Sequence, residues 1–188
     1  MTQVAVLFTH GFAEIEAFSI VDILRRAKIN ADIIGTEPGP IIGAQMISIT
    51  PDFILEDIEI NMLDALVLPG GSPGYINLRN NENVIKLIQK MMEQGKLIAA
   101  ICASPAVLSA AGVLREKHCT IYPGMEDELR KGKGIYTDSI VVTDGNIITS
   151  KGPATTIPFT LTLVERLTDK ETADTVKKQL LADTVFKE

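Results

Sequence analysis

The run Leu97-Ile98-Ala99-Ala100-Ile101-Cys102-Ala103-Ser104-Pro105 decides the fold. Five consecutive apolar residues, with no polar alternation, mark a strand buried on both faces, as in a parallel sheet. The chain then turns at once into a helix predicted over Ala106 to Ala111, with Ser104 placed to cap it, Pro105 suited to its first turn and Gly112 to its close. A strand that runs straight into a helix is half of a βαβ unit, so further units are expected on either side.

They are found upstream. Leu63 to Leu68 is a second buried strand, Pro69-Gly70-Gly71-Ser72-Pro73-Gly74 a sharp loop, and Val84 to Gln94 an amphipathic helix ended by Gly95. At the start, the apolar run Val4 to Phe8 leads through Thr9-His10-Gly11 to a helix predicted over Ala13 to Ala27, and Ala31 to Ile34 resumes the strand pattern. Met46 to Ile49 and Ile54-Leu55 read as short strands or edge pieces. Downstream, Ile140 to Thr143 and Asn146 to Ser150 flank Asp144-Gly145, the signal of a tight hairpin and hence of an antiparallel appendage. Thr155 to Leu167 and Thr172 to Leu181 close the chain as helices. The alternation predicts one domain over residues 1–188, an α/β three-layer sandwich with a mainly parallel sheet and a small antiparallel hairpin.

Composition excludes several classes of function. The chain has 188 residues, 46% of them hydrophobic, and a mean hydropathy of +0.20, enough for a sizeable core. Eighteen basic against 24 acidic residues give a formal charge of -6, and no basic block suits a row of phosphates, so no nucleic-acid partner is expected. No basic leader precedes Val4 and no apolar run reaches the roughly 18 residues of a membrane span, so the expected location is cytoplasmic, with no membrane partner. The cysteines Cys102 and Cys119 form no Cys-x-x-Cys pair, and His10 and His118 are the only histidines, so neither a metal site nor another cofactor is expected.

In a parallel sheet, ligands bind beyond the carboxyl ends of the strands, and three such ends should open onto one crevice here. They lead to Gly11 to Glu16, to Gly70-Gly71 and to Cys102. A cysteine at a strand-to-helix junction lies near helix N–H groups, which favour the thiolate, so Cys102 is a candidate nucleophile; a lone cysteine after Ala-Ala-Ile is equally a small core residue. Gly70 and Gly71 permit close backbone approach, and their amides with that of Ala103 form a candidate oxyanion pocket, against the alternative of an ordinary turn. Glu14 and Glu16 open the first helix, where acidic residues commonly just complement the dipole. If Glu16 faces Cys102, it must be largely protonated when the sulfur is ionised. His10, His118 and Cys119 read as structural, with Cys119 to Tyr122 forming a strand.

Gly11 to Glu16, Leu66-Val67-Leu68-Pro69-Gly70-Gly71, Ala99 to Pro105 and Ser150-Lys151-Gly152-Pro153-Ala154-Thr155 together resemble the DJ-one/ThiJ/PfpI superfamily, especially its Parkinson-disease-protein and ThiJ-like branch. The resemblance covers nearly the whole chain. It implies a flavodoxin-like fold, a homodimer, an oxidation-prone nucleophile at Cys102, a carboxylic acid partner at Glu16 rather than Glu14, and a backbone anion pocket at Gly71 and Ala103. It also implies protection from oxidative and carbonyl stress, by glyoxalase- or deglycase-like hydrolysis of methylglyoxal or its adducts, by thiol oxidation, or as a chaperone. Protease-like members place a histidine directly after the cysteine. Ala103 stands there in this chain, which disfavours a peptidase or amidase. A basic pocket residue of some relatives corresponds to Gln45 and a histidine to Tyr122; with Glu14 and Ser104, these are possible pocket-lining residues. The resemblance thus points to a small reactive aldehyde or glycated substrate, with a non-catalytic redox sensor or chaperone operating through Cys102 oxidation as the alternative.

Overall fold

A computed structural model of the protein describes residues 2–185. In chain order the elements are β1 (Gln3–Phe8), α1 (Glu14–Arg26), β2 (Asn30–Gly35), β3 (Ile41–Ile42), β4 (Ser48–Ile49), β5 (Phe53–Ile54), β6 (Ala65–Leu68), α2 (Gly74–Asn80) and α3 (Glu82–Glu93). They continue with β7 (Leu97–Ile101), α4 (Pro105–Ala110), β8 (His118–Cys119), α5 (Glu126–Lys131), β9 (Ile135–Tyr136), β10 (Val141–Asp144), β11 (Ile147–Ser150), α6 (Thr156–Leu167), α7 (Lys170–Gln179) and α8 (Ala182–Val185).

The seven-stranded sheet has the order β10-β11-β7-β6-β1-β2-β5 and is parallel except for the β10–β11 pair. Strand β1 shows why apolar runs, rather than alternation, build it. Val4, Val6 and Phe8 face one layer with Ile20 and Leu24 of α1 and Phe159 and Leu163 of α6. Ala5 and Leu7 face the other, with Val84 and Ile88 of α3, Val107 of α4 and Leu129 of α5. Both faces are covered, so the five buried positions from Val4 to Phe8 must all be apolar. This is the expected three-layer architecture.

The elements differ in detail from the sequence reading. The hairpin is no appendage: β11 pairs in parallel with β7 and is buried at all four positions, so only β10 is an antiparallel edge. A separate two-stranded antiparallel sheet joins β3 to β4. The loop after β6 is followed by the helix α2, which the Pro and Gly residues disguise. The strand expected over Cys119 to Tyr122 ends at Cys119, because Thr120 N–H donates to the Thr149 hydroxyl at 2.9 Å and Tyr122 N–H to the Cys102 carbonyl at 2.9 Å. Those amides are taken by side chain and loop rather than by a ladder. Among the described residues no helix is long and apolar enough to cross a membrane.

Candidate active site

The three strand ends converge as expected. After β6, the Gly70 amide donates to Glu16 Oε2 at 2.7 Å, and the Gly70 carbonyl accepts from Ala13 N–H at 2.9 Å, which ties the loop to the start of α1. A side chain at Gly70 has no room: its Cβ would stand 2.6 Å from that of Cys102 and 2.8 Å from Glu16 Oε2. Gly71 adopts φ +106° and lies against the backbone of Gly11 to Ala13, a position only glycine fits.

Cys102 follows β7 with φ +63°, in the left-handed region that a non-glycine residue occupies only under constraint. The constraint is visible on both sides of the residue. Its N–H donates to Ser150 O at 3.0 Å and its carbonyl accepts from Tyr122 N–H at 2.9 Å. The bend turns the side chain off the strand line toward the Gly71 and Ala103 amides, which favour the ionised sulfur, and toward the Glu16 carboxyl, which opposes it. This is the geometry of a strained strand-to-helix elbow that presents a nucleophile.

Two effects oppose each other on this sulfur. Burial, then the negative charge of Glu16 and the hydrogen bond to it, push the Cys102 thiol up to about 12, against the smaller pull of the Ala103 and Gly71 amides. The helix-terminus reading from sequence foresaw the amides but not the burial. Glu16 is itself fully buried, and desolvation raises its carboxyl above the ordinary value, although the Gly70 amide and the Cys102 contact draw it down. Two acids this close disfavour the state in which both are charged, so ionising one holds the proton more firmly on the other. Oε1 of Glu16 is buried with no ordinary hydrogen-bond partner, which is where a carboxylic proton has its natural seat.

The remaining expected residues have distinct places. Ser104 is fully buried, yet it does not cap α4 with its side chain; its hydroxyl donates to Pro69 O at 2.6 Å and so bridges the ends of β6 and β7. Glu14 is buried and turns to the loop after β3, where its Oε1 accepts from Gln45 N–H at 2.6 Å and Ile47 N–H at 3.4 Å. Gln45 is exposed and enters this contact through its backbone. Tyr122 is 47% exposed, bonded to Cys102 through its main chain, with its ring next to Gly152. His10 accepts the Ile42 N–H at Nδ1 and faces Glu37 through Nε2, a loop-fixing role. Cys119 is fully buried in the core. Ser150 was read only as part of the family motif and not as part of the site; its carbonyl is one of the two groups that hold the Cys102 backbone, and its position at the end of β11 reveals this. No group of three or more metal-ligating side chains comes together among the described residues.

This fold and elbow define a class, and the chain belongs to the DJ-1/PfpI family, whose pattern it matches over residues 2–166. It is 37% identical to Protein dj-1beta of Drosophila melanogaster over 94% of this chain and 95% of that one. The crystal structure of that protein superimposes with a TM-score of 0.92 over 96% of this chain and 98% of the other. Protein DJ-1 homolog A of Arabidopsis thaliana is also 37% identical over 95% of this chain, which spans 46% of that longer protein. A glutathione-independent glyoxalase of Caenorhabditis elegans, DJR-1.2, is 34% identical over 89% of each chain.

Proposed function

We propose that the protein is a cytoplasmic, cysteine-dependent stress-protection enzyme that hydrolyses methylglyoxal, or its adducts, to the hydroxy acid. One observation carries the reading: the buried Oε1 of Glu16 has no other partner, and it belongs to a carboxyl in contact with a sulfur whose remaining neighbours are amide donors. Such a pair can place its one proton on either member. The glyoxalase activity named for the Caenorhabditis relative supports the substrate class, and two free cysteines suit a reducing compartment.

With the proton on Glu16, the Cys102 sulfur adds to the aldehyde carbon, and the carboxyl returns the proton to the forming alkoxide, giving a hemithioacetal. Gly71 and Ala103 N–H groups stabilise the negative oxygen as it forms. Glu16, now a carboxylate, takes the proton from the former aldehyde carbon as the proton of that carbon's hydroxyl passes to the former ketone oxygen, and then delivers the proton it holds to the neighbouring carbon. The product of this shift is a lactoyl thioester. Water cleaves the thioester, releasing lactate and restoring the thiol, so methylglyoxal plus water equals lactate with no external oxidant or reductant.

Purified protein supplied with methylglyoxal alone is expected to produce lactate, followed by NMR. Cys102→Ser should lower turnover by about a thousandfold or more. No lactate from the wild type would overturn the proposal. The same two amides also suit the oxygens of an oxidised sulfur, which supports redox sensing as a second reading. Intact-mass spectra under graded peroxide should then show Cys102 oxidised first, and first oxidation elsewhere would remove that reading.

A further inference from the structure

One stretch of the sheet lacks a helical cover. On the face that α3, α4 and α5 bury elsewhere, the ends of β1, β2 and β5 are roofed only by residues 55–62, which make two single helical turns, Leu55–Asp57 and Ile60–Met62. Beneath this strap runs a groove of about 580 Å³, within the size range of small-molecule sites. Its floor is buried and apolar, formed by Ala5, Ile34 and Leu63. Two large apolar side chains stand at its walls with much of their surface in water, Phe53 at 52% exposure and Met62 at 68%.

The charge of the groove has one sign. Asp32, Asp57 and Glu59 line it, and no lysine or arginine does. Asp32 accepts from the Gln3 side chain, whereas Asp57 and Glu59 enter no ion pair among the described residues. Lys96 is committed on the strap's other side, where its Nζ donates to the carbonyls of Ile60 at 2.7 Å, Asn61 at 3.0 Å and Leu63 at 2.6 Å. Its ammonium pins the strap but does not neutralise the groove.

We propose that this groove binds a small organic cation, an ammonium group carried on an apolar body. The body would cover Phe53 and Met62, which water now meets. The ammonium would sit among the three carboxylates, with the Phe53 ring offering a cation–π face. A neutral apolar ligand would leave the carboxylates without a partner, and an anion would be repelled. None of these residues belongs to the Cys102 site, so the proposal is independent of the aldehyde chemistry.

Benzyltrimethylammonium chloride is the probe, titrated into isotopically labelled full-length protein and followed by amide chemical shifts. Saturable shifts are expected at Ala5, Ile34, Phe53 and Leu63, with a dissociation constant on the order of millimolar for so small a ligand. Benzoate should give no saturable shift there, and neutral benzyl alcohol should bind at least about tenfold more weakly. Because Asp57 and Glu59 are exposed, the pair Asp57→Asn and Glu59→Gln should keep the fold, checked by circular dichroism, yet weaken the cation about tenfold. Absence of saturation, equal binding of benzyl alcohol, or unchanged affinity in the double variant would each overturn the proposal.

Discussion

Gly70 donates its amide to Glu16 Oε2 at 2.7 Å, across 54 residues of sequence, and this bond sets the carboxyl against the Cys102 sulfur. The glycine is at once the donor that orients the acid and the gap that lets it approach the cysteine. Structure and chemistry at the site are therefore coupled through one backbone group.

Glu16→Gln separates the two roles of the carboxyl. Without its negative charge the Cys102 thiol should titrate below the value of about 12 it has beside the carboxylate, so alkylation near neutral pH should quicken. Turnover of methylglyoxal should nevertheless fall, because the amide cannot shuttle protons. Site-resolved mass spectrometry of alkylation across pH, run on a Cys119→Ser background, reads the first effect and lactate production the second.

The same carboxyl makes stability depend on pH. Its folded pKa is raised above the ordinary 4.5, so the protonated form is the one that folding favours. The contribution is complete below that ordinary value and is lost as pH climbs through the raised folded one. Urea denaturation from about pH 4.5 to 8 should show the wild type losing stability relative to Glu16→Gln, whose side chain does not titrate. Parallel curves for the two proteins would contradict the assignment.

Gly70→Ala should damage both fold and site. The new methyl would meet the Cys102 Cβ at 2.6 Å and the Ile101 carbonyl at 3.0 Å, and neither can withdraw without bending β7 or the elbow. A loss of about 1–3 kcal/mol is expected from such overpacking, seen as a lower Tm, together with a change in Cys102 alkylation rate.

Ser104→Ala tests the bridge between strand ends. Its hydroxyl donates at 2.6 Å to Pro69 O, and both groups are buried. Removing the donor orphans that carbonyl, a cost of about 1–3 kcal/mol in chemical denaturation. Turnover should fall too, because Gly70 and Gly71 follow Pro69 directly.

Ile15 at 61% exposure, Met46 at 77% and Ile47 at 50% offer apolar surface on α1 and on the loop that Glu14 holds. We propose that a second copy of the chain covers them. Sedimentation should find a dimer for the wild type and a monomer for Ile15→Glu.

The layers were legible because β1, β6 and β7 are apolar at nearly every position, which only burial on two faces explains. The crevice followed from topology, since the ends of three neighbouring parallel strands must open together. Short helices were less legible. Helix α2 begins at Gly74 after Pro73 and has no side-chain cap, so local signals read as a turn. The β10–β11 hairpin was placed by its Asp-Gly turn, but its pairing with β7 is a long-range fact that no local pattern encodes. The state of Cys102 was legible only in part: helix amides are visible in the strand–Cys–helix pattern, the effect of Glu16, 86 positions away, could be stated only on the condition that it faces the sulfur, and the burial was not visible.

The left-handed backbone at Cys102 is held from two directions, by Ser150 near the end of the sheet and by Tyr122 from a separate loop. Neither contact exists until distant parts of the chain have met. The sulfur therefore acquires its resistance to ionisation only in the finished molecule, while a nascent or damaged chain carries an ordinary, more readily ionised thiol. Reactivity at this one atom is a readout of complete assembly, and a population's titration curve would count its native members.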